Sequence, residues 1–227
     1  MNALVPQIPL LLGLAIPAIV VSGWLGDAEE SLRATEPGPK KVAVAAMAEE
    51  GYCTPELKQI VRRVAGACGL LDAQGRGCQP ADAAKIVQLD AGDFNRLFLP
   101  LKARVHIIQF DTRSAELDEA AQRAVNAAWS DRGGASFFFV VARASPDGSK
   151  AFNQKLSNSR AQSVLDFLEG QFKDPDIKKR VGLLWLGEEF AQLTADFCGW
   201  TRSRAGTECD ETQINRSAFI AWIDCNI

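Results

Sequence analysis

Arginine, serine and carboxylate side chains gather in one stretch of this 227-residue chain, ARASPDGSKAFNQKLSNSRAQSVLDFL, from Ala142 to Leu168. Arg160 is its most reactive recognition group. Helical spacing sets it four residues beyond Leu156 and four before Val164, so it points along the face those two turn inward. A guanidinium there presents a planar fork of donors, which pairs either with one of the protein's own acids or with a ligand carboxylate. Asp111 is the candidate internal partner, and pairing with it would make Arg160 structural. Asn153, earlier on the same helix, offers an amide that can tie the helix to a loop.

The other reactive side chains point to less. His106, the one histidine, sits in an apolar strand with no cysteine or acid at ligand spacing, as a packed strand residue would. Glu188 and Glu189 are adjacent at a strand end and face opposite ways, as expected of a solvated turn rather than an acid–base pair. No G-x-S-x-G, H-E-x-x-H or G-x-x-x-x-G-K pattern occurs. The sequence therefore implies no enzyme, no metal and no cofactor.

The elements that must position Arg160 are legible by periodicity. RVHIIQF, ASFFFVVARA, RVGLLWLG and SAFIAWIDC read as strands. SAELDEAAQRAVNAAW reads as a helix opened by Ser114, with Leu117, Ala121, Val125 and Trp129 on one face. SKAFNQKLSNSRAQSVLDFLEGQF reads as a second helix, capped by Ser149, with Phe152, Leu156, Val164 and Leu168 inward. This β-α-β-α-β-β order predicts an α/β domain of two layers, with helices on one face of a mixed four-stranded sheet, over residues 103–227. Before it, CTPELKQIVRRVAGACG reads as a helix with Thr54 as cap, Pro55 in the first turn, and Leu57, Ile60, Val61, Val64 and Cys68 on one face. It belongs to a disulfide-rich accessory region, residues 51–102, whose supporting surface the sequence does not show.

Composition narrows the function. Hydrophobic residues make up 47% and charged residues 23%, enough to build a core, and the net charge of −3 excludes a phosphate-neutralising nucleic-acid surface. Arg202 and Arg204 read as a solvated pair in a polar loop. Ile8 to Leu25 is 18 residues without a charge, long enough to cross a hydrocarbon core, with Trp24 at its end. Residues 1–26 are therefore expected to be an inner-membrane anchor, a cleavable signal peptide being the rival reading, and residues 27–50 a polar linker broken by Pro37 and Pro39. Arg33, Lys40 and Lys41 after the run favour a cytoplasmic body, whereas six cysteines without a C-x-x-C pair favour disulfides in an oxidising compartment. The cysteines tip the expectation towards a single-pass protein with its body in the periplasm, and the conflict with the basic residues stays open.

Three segments carry a resemblance. QFDTRSAEL (Gln109 to Leu117) resembles the F-D-x-x-S-x-x-L opening of the OmpA-like peptidoglycan-binding domain, the family of Pal lipoproteins and the MotB stator subunit. GSKAFNQKLSNSRAQSVLDFL (Gly148 to Leu168) resembles that family's G-S-x-x-Y-N-x-x-L-S-x-x-R-A-x-x-V-x-x-x-L helix, and NRSAF (Asn215 to Phe219) its closing N-R-R-V-E strand. The resemblance covers residues 103 to 225. It implies that Arg160 holds a carboxylate of the wall peptide's diaminopimelate, while an aspartate of a preceding G-H-T-D segment holds the ammonium.

That segment here is Ala142, Arg143, Ala144, Ser145, so the aspartate is a serine and the histidine an arginine. Losing such a charged contact costs a small-ligand site about 2 to 5 kcal/mol. Asp147 either replaces it or serves the turn. The implied wall-peptide residues are Arg160, Asn153, Ser145, Asp147 and Phe110. Some relatives carry a disulfide in the insertion before the last strand, which implies Cys198 with Cys209. Cys53, Cys68, Cys78 and Cys225 then remain to staple the accessory helix to the sheet, although six cysteines allow 15 connectivities.

Two functions stay open. In one the domain docks protein partners in an envelope complex; in the other it tethers a membrane protein to peptidoglycan through Arg160, as a stator subunit would. MotB-like subunits carry an ion-bearing aspartate within the membrane helix, and here that run is uncharged. The missing aspartate tips the expectation towards protein docking.

Overall fold

The computed structural model describes residues 51–67, 81–82, 90–133, 135 and 137–225. The expected anchor at 8–25, the linker at 27–50, and Cys68 and Cys78 lie outside these residues. No described helix is long and apolar enough to cross a membrane. Met47–Ile227 forms one compact unit.

The elements run α1 (Pro55–Ala67), β1 (Ala81–Asp82), α2 (Ala91–Arg96), a 3-10 turn (Leu99–Arg104), β2 (Val105–Gln109), α3 (Glu119–Asp131), β3 (Phe137–Ala142), α4 (Lys150–Phe172), α5 (Ile177–Arg180), β4 (Val181–Trp185), a second 3-10 turn (Ala195–Gly199), α6 (Glu211–Asn215) and β5 (Ser217–Ile223). Strand order is β1-β4-β3-β5-β2. β4 pairs parallel with β1 and β3, and β5 pairs antiparallel with β3 and β2. The mixed four-stranded sheet is as expected; β1 adds a two-residue edge strand that its brevity hid from periodicity.

β3 and β5 are buried at every position. Uninterrupted runs such as FFFVVA belong to strands covered on both faces, and the structure supplies both covers. On one face α3 and α4 pack, with Trp129 edge-on to Phe138 at 5.1 Å. On the other, Leu57, Ile60 and Val61 of α1 meet Phe139, Val141, Leu184 and Ile223 around a gap of about 10 Å³. The expectation of helices on one face alone is thus corrected: the accessory segment supplies a third layer, because the apolar second face of the sheet needs a lid.

That lid is fastened at its start. Thr54 Oγ1 accepts from Leu57 N at 3.2 Å, capping α1. Cys53 is bridged to Cys225 just beyond β5, with Cα atoms 5.6 Å apart. Next to the bridge the Tyr52 hydroxyl donates to Asp224, Arg104 pairs with Asp224 at 3.2 Å, and the Arg104 guanidinium lies 4.7 Å over the Tyr52 ring.

Two helix readings are also corrected. α3 starts after Asp118, whose carboxylate accepts from Ala121 N at 2.7 Å; Ser114 instead holds Glu116 N in the preceding loop. Ser149 does cap α4, accepting from Phe152 N. Its buried face, however, is Asn153, Ser157, Arg160, Ala161, Val164, Leu165 and Leu168, while Phe152 and Leu156 are half-buried. The polar side chains win the inner face because each finds hydrogen-bond partners there.

The Cys53–Cys225 bridge spans 172 residues, so it removes much chain entropy from the unfolded state. Replacing both cysteines with serine should cost about 3–5 kcal/mol in thermal or denaturant unfolding. Unchanged stability would mean that packing alone holds the third layer.

Candidate functional site

The end of the sheet where β2 and β3 finish and β5 begins collects the sequence's candidate residues. Backbone bonds fix the three loops there: Phe110 N donates to Arg216 O at 2.7 Å, Arg143 N to Ser217 O at 2.8 Å and Ala144 N to Gly187 O at 2.9 Å. Ser157 Oγ accepts from Gly187 N at 3.0 Å, seating α4 against the loop after β4.

Arg160 lies beneath these loops and is fully buried. Its Nε donates to Ser114 O at 2.9 Å, Nη1 to Arg143 O at 2.8 Å and Nη2 to Asp111 O at 3.2 Å. The Phe110 ring lies 5.1 Å from the guanidinium. Desolvation, then the nearby Arg216 cation, pushes its pKa down to about 10, so it remains charged at neutral pH. Asp111 does contact Arg160, but through its carbonyl. Its carboxylate reaches outward to Arg204 Nη2 at 2.8 Å, which corrects the expected acid–arginine pair.

Ser145, at 5% exposure, and the more open Asp147 form a second cluster. Asp147 Oδ2 accepts from Ser145 Oγ at 2.9 Å and from Arg216 Nη2 at 3.0 Å. Arg216 Nε donates to Ser145 Oγ at 3.3 Å. These bonds hold the Asp147 carboxyl below the usual carboxylate range, the Arg216 contact first. Gly148, with φ of +144°, permits the turn between this cluster and α4. The Asn153 amide donates to Ser145 O at 3.0 Å and to the Glu188 carboxylate. Glu189 pairs with Lys150. Both glutamates lie in the turn after β4 and both reach the first turn of α4, which corrects the expectation that they face opposite ways.

Arg143 is the second fully buried cation. It donates to Ala191 O at 2.9 Å, Val141 O at 3.4 Å and Asn95 Oδ1 at 3.0 Å, and none of these partners is a carboxylate. Burial pushes its pKa down to about 9. Asn95 belongs to α2, so Arg143 links the third layer to the site. His106 packs 5.8 Å from Trp222, and burial lowers its pKa.

Beside the clusters opens a cavity of about 300 Å³, lined by Phe110, Thr112, Arg204, Glu208, Gln213 and Arg216 among others. One wall is the loop closed by Cys198–Cys209, whose Cα atoms are 5.8 Å apart. Arg202 and Arg204 are not the solvated pair expected. Arg202 donates to Cys198 O, Gln109 Oε1 and Thr207 O, and Arg204 forks onto Asp118 while also bonding Asp111. A polar loop must satisfy its own backbone, and Arg202 does so, whereas Arg204 ties the loop to two acids. Sequence reasoning missed Arg216, Arg204 and Glu208 as site residues. Arg216 stood inside the quoted NRSAF segment, whereas nothing in the local pattern marked Arg204 or Glu208.

The structure thus brings Arg160, Asn153, Ser145, Asp147 and Phe110 to one end of the sheet, but spends the Arg160 fork on backbone. Among the described residues no group of three His, Cys, Asp or Glu could hold a metal.

No protein-family model and no curated protein matches the chain. Among solved structures, it is similar to the OmpA-like domain of FopA1 from Francisella tularensis subsp. tularensis SCHU S4, at 19% identity and a TM-score of 0.35, over 50% of this chain and 68% of that one. It is also similar to the peptidoglycan-associated lipoprotein from Burkholderia pseudomallei, at 16% identity and a TM-score of 0.37, over 55% of this chain and 92% of that one. Likeness at this level carries no residue role across.

Replacing Arg160 with Met should leave three carbonyls without their donor, at about 1 kcal/mol or more each, and lower Tm by roughly 6–12 °C. Unaltered melting would mean that the guanidinium is dispensable to the fold. The Asp147 pair stabilises fully above the ordinary carboxylate value of 3.8 and is lost as pH falls through the lower folded midpoint. Arg216→Gln should raise that midpoint in a carboxyl-carbon NMR titration; an unmoved midpoint contradicts the pairing.

Proposed function

We propose that the protein is a non-catalytic binding module of the cell envelope that docks protein partners rather than gripping the wall peptide. Residues 8–25 would anchor it in the inner membrane with the body in the periplasm. The uncharged run supports the anchor, and the two described disulfides support an oxidising compartment. The observation that carries the docking reading is the closure of Arg160. A group that captures a ligand carboxylate must offer free donors, and this one faces three backbone carbonyls with no exposed surface. The serine at 145 removes the other half of a zwitterion clamp, since a hydroxyl cannot neutralise an ammonium.

One observation favours the peptidoglycan tether as a second reading. Asp147 brings a half-exposed carboxylate against Ser145, where the resemblance expects an acid, and Arg216 stands beside it.

Sedimentation of the full chain, in detergent, with purified sacculi separates the two. The docking reading expects wild type and Ser145→Asp both to stay in solution, because the added acid still finds no open guanidinium at Arg160. Wild type that pellets with the sacculi, and ceases to do so as Asp147→Ala, would establish the tether instead.

A further inference from the structure

The ring formed by Ser145, Asp147 and Arg216 has the geometry of an occupied anion site. A single oxygen, Asp147 Oδ2, receives both the Ser145 hydroxyl at 2.9 Å and an Arg216 nitrogen at 3.0 Å. Arg216 Nε donates in turn to the Ser145 oxygen at 3.3 Å, which aims the hydroxyl proton at the carboxylate. Two donors are therefore oriented on one point, and an acceptor oxygen fills it.

A second cation lies next to these donors, while Asp111 and Glu208 share the cavity lining with Arg204 and Arg216. Arg160 is fully buried beside them and is bonded only to carbonyl oxygens. Arg216 is close enough to depress the Arg160 guanidinium. The carboxylate on these donors sits at the surface: the Asp147 side chain is 52% exposed and rides a turn ending in Gly148 at φ +144°. Arg216 also lines the 300 Å³ cavity, whereas Asp147 does not, so a second anion has a route to the same guanidinium.

We propose that Ser145 and Arg216 form an oxyanion subsite which Asp147 occupies as a resident carboxylate, and that a carboxylate- or phosphate-bearing ligand binds by displacing it. The exchange puts one oxyanion in place of another on the same donors, and no bond is made or broken covalently. The subsite rests on this end of the sheet being the module's binding end, and it names what a docking partner would contribute.

A tethered carboxylate competes at an effective concentration in the millimolar range or above. The test removes it. Isotope-labelled full chain in detergent micelles is titrated with inorganic phosphate and, separately, acetate, following the Ser145 amide and the Arg216 Nε–H by NMR. Asp147→Asn and Asp147→Ala should bind phosphate at least about tenfold more tightly than wild type, and Arg216→Gln added to either should abolish the shifts. Acetate shifting the same signals as strongly would identify a carboxylate ligand; phosphate alone would identify a phosphate.

Absence of any saturable shift in both variants, or shifts that survive Arg216→Gln, overturns the proposal. Loss of the fold in both variants also overturns it, since Asp147 would then serve the turn. A chain that binds phosphate here yet pellets with sacculi would keep the subsite and lose the docking reading.

Discussion

One buried guanidinium draws two segments that are far apart in sequence onto α4. Arg160 reaches the carbonyls of Asp111, Ser114 and Arg143, so the loop after β2, the approach to α3 and the end of β3 all close on α4. Each carbonyl would otherwise sit unpaired where water has little access, at a cost comparable to a lost hydrogen bond. The cation gains in return a cage of dipoles and the Phe110 ring at 5.1 Å. Such an arrangement fixes loop geometry, but it leaves the fork nothing to offer a ligand. Asp147 and part of Arg216 remain open to solvent at this end of the sheet, beside the adjoining cavity.

The second buried cation extends that logic to the other face. Arg143 accepts Arg160 through its own carbonyl and sends its side chain to Asn95 of α2 and Ala191 after β4. Burying an ion this way costs several kcal/mol unless its donors are satisfied, and here the third layer supplies one of the acceptors. The same layer covers Phe139, Val141 and Leu184, which would otherwise present an apolar sheet face to water. Residues 51–67 and 90–104 therefore belong to the domain's core as much as to its periphery.

Four strands and both long helices could be read in the sequence because each carries a strong period or an unbroken apolar run. The inner face of α4 was read only in part: Arg160, Val164 and Leu168 turn inward as expected, whereas Asn153 and Ser157 take the places given to Phe152 and Leu156. Hydrophobic periodicity ranks Phe152 and Leu156 above Asn153 and Ser157, yet satisfaction of hydrogen bonds decides which row is buried. A staple between the accessory helix and the sheet was expected, but its pairing and the face it covers were not legible, for a different reason. Its evidence is a contact between residues 172 apart in the chain, and cysteine spacing does not determine pairing. At the site, the quoted motifs brought the right residues together, but their wiring was invisible. The partner of Asp111 is Arg204, from an insertion whose role no local pattern announces.

The central claim is that the Arg160 guanidinium is enclosed and structural. Hydrogen exchange of arginine Nε–H groups, measured by NMR on the full chain, tests it most directly. Enclosure predicts an Arg160 Nε–H that exchanges far more slowly than that of Arg123, whose side chain is 71% exposed. Exchange of Arg160 at the rate of Arg123 would show an open fork, available to a ligand carboxylate, and would contradict the account.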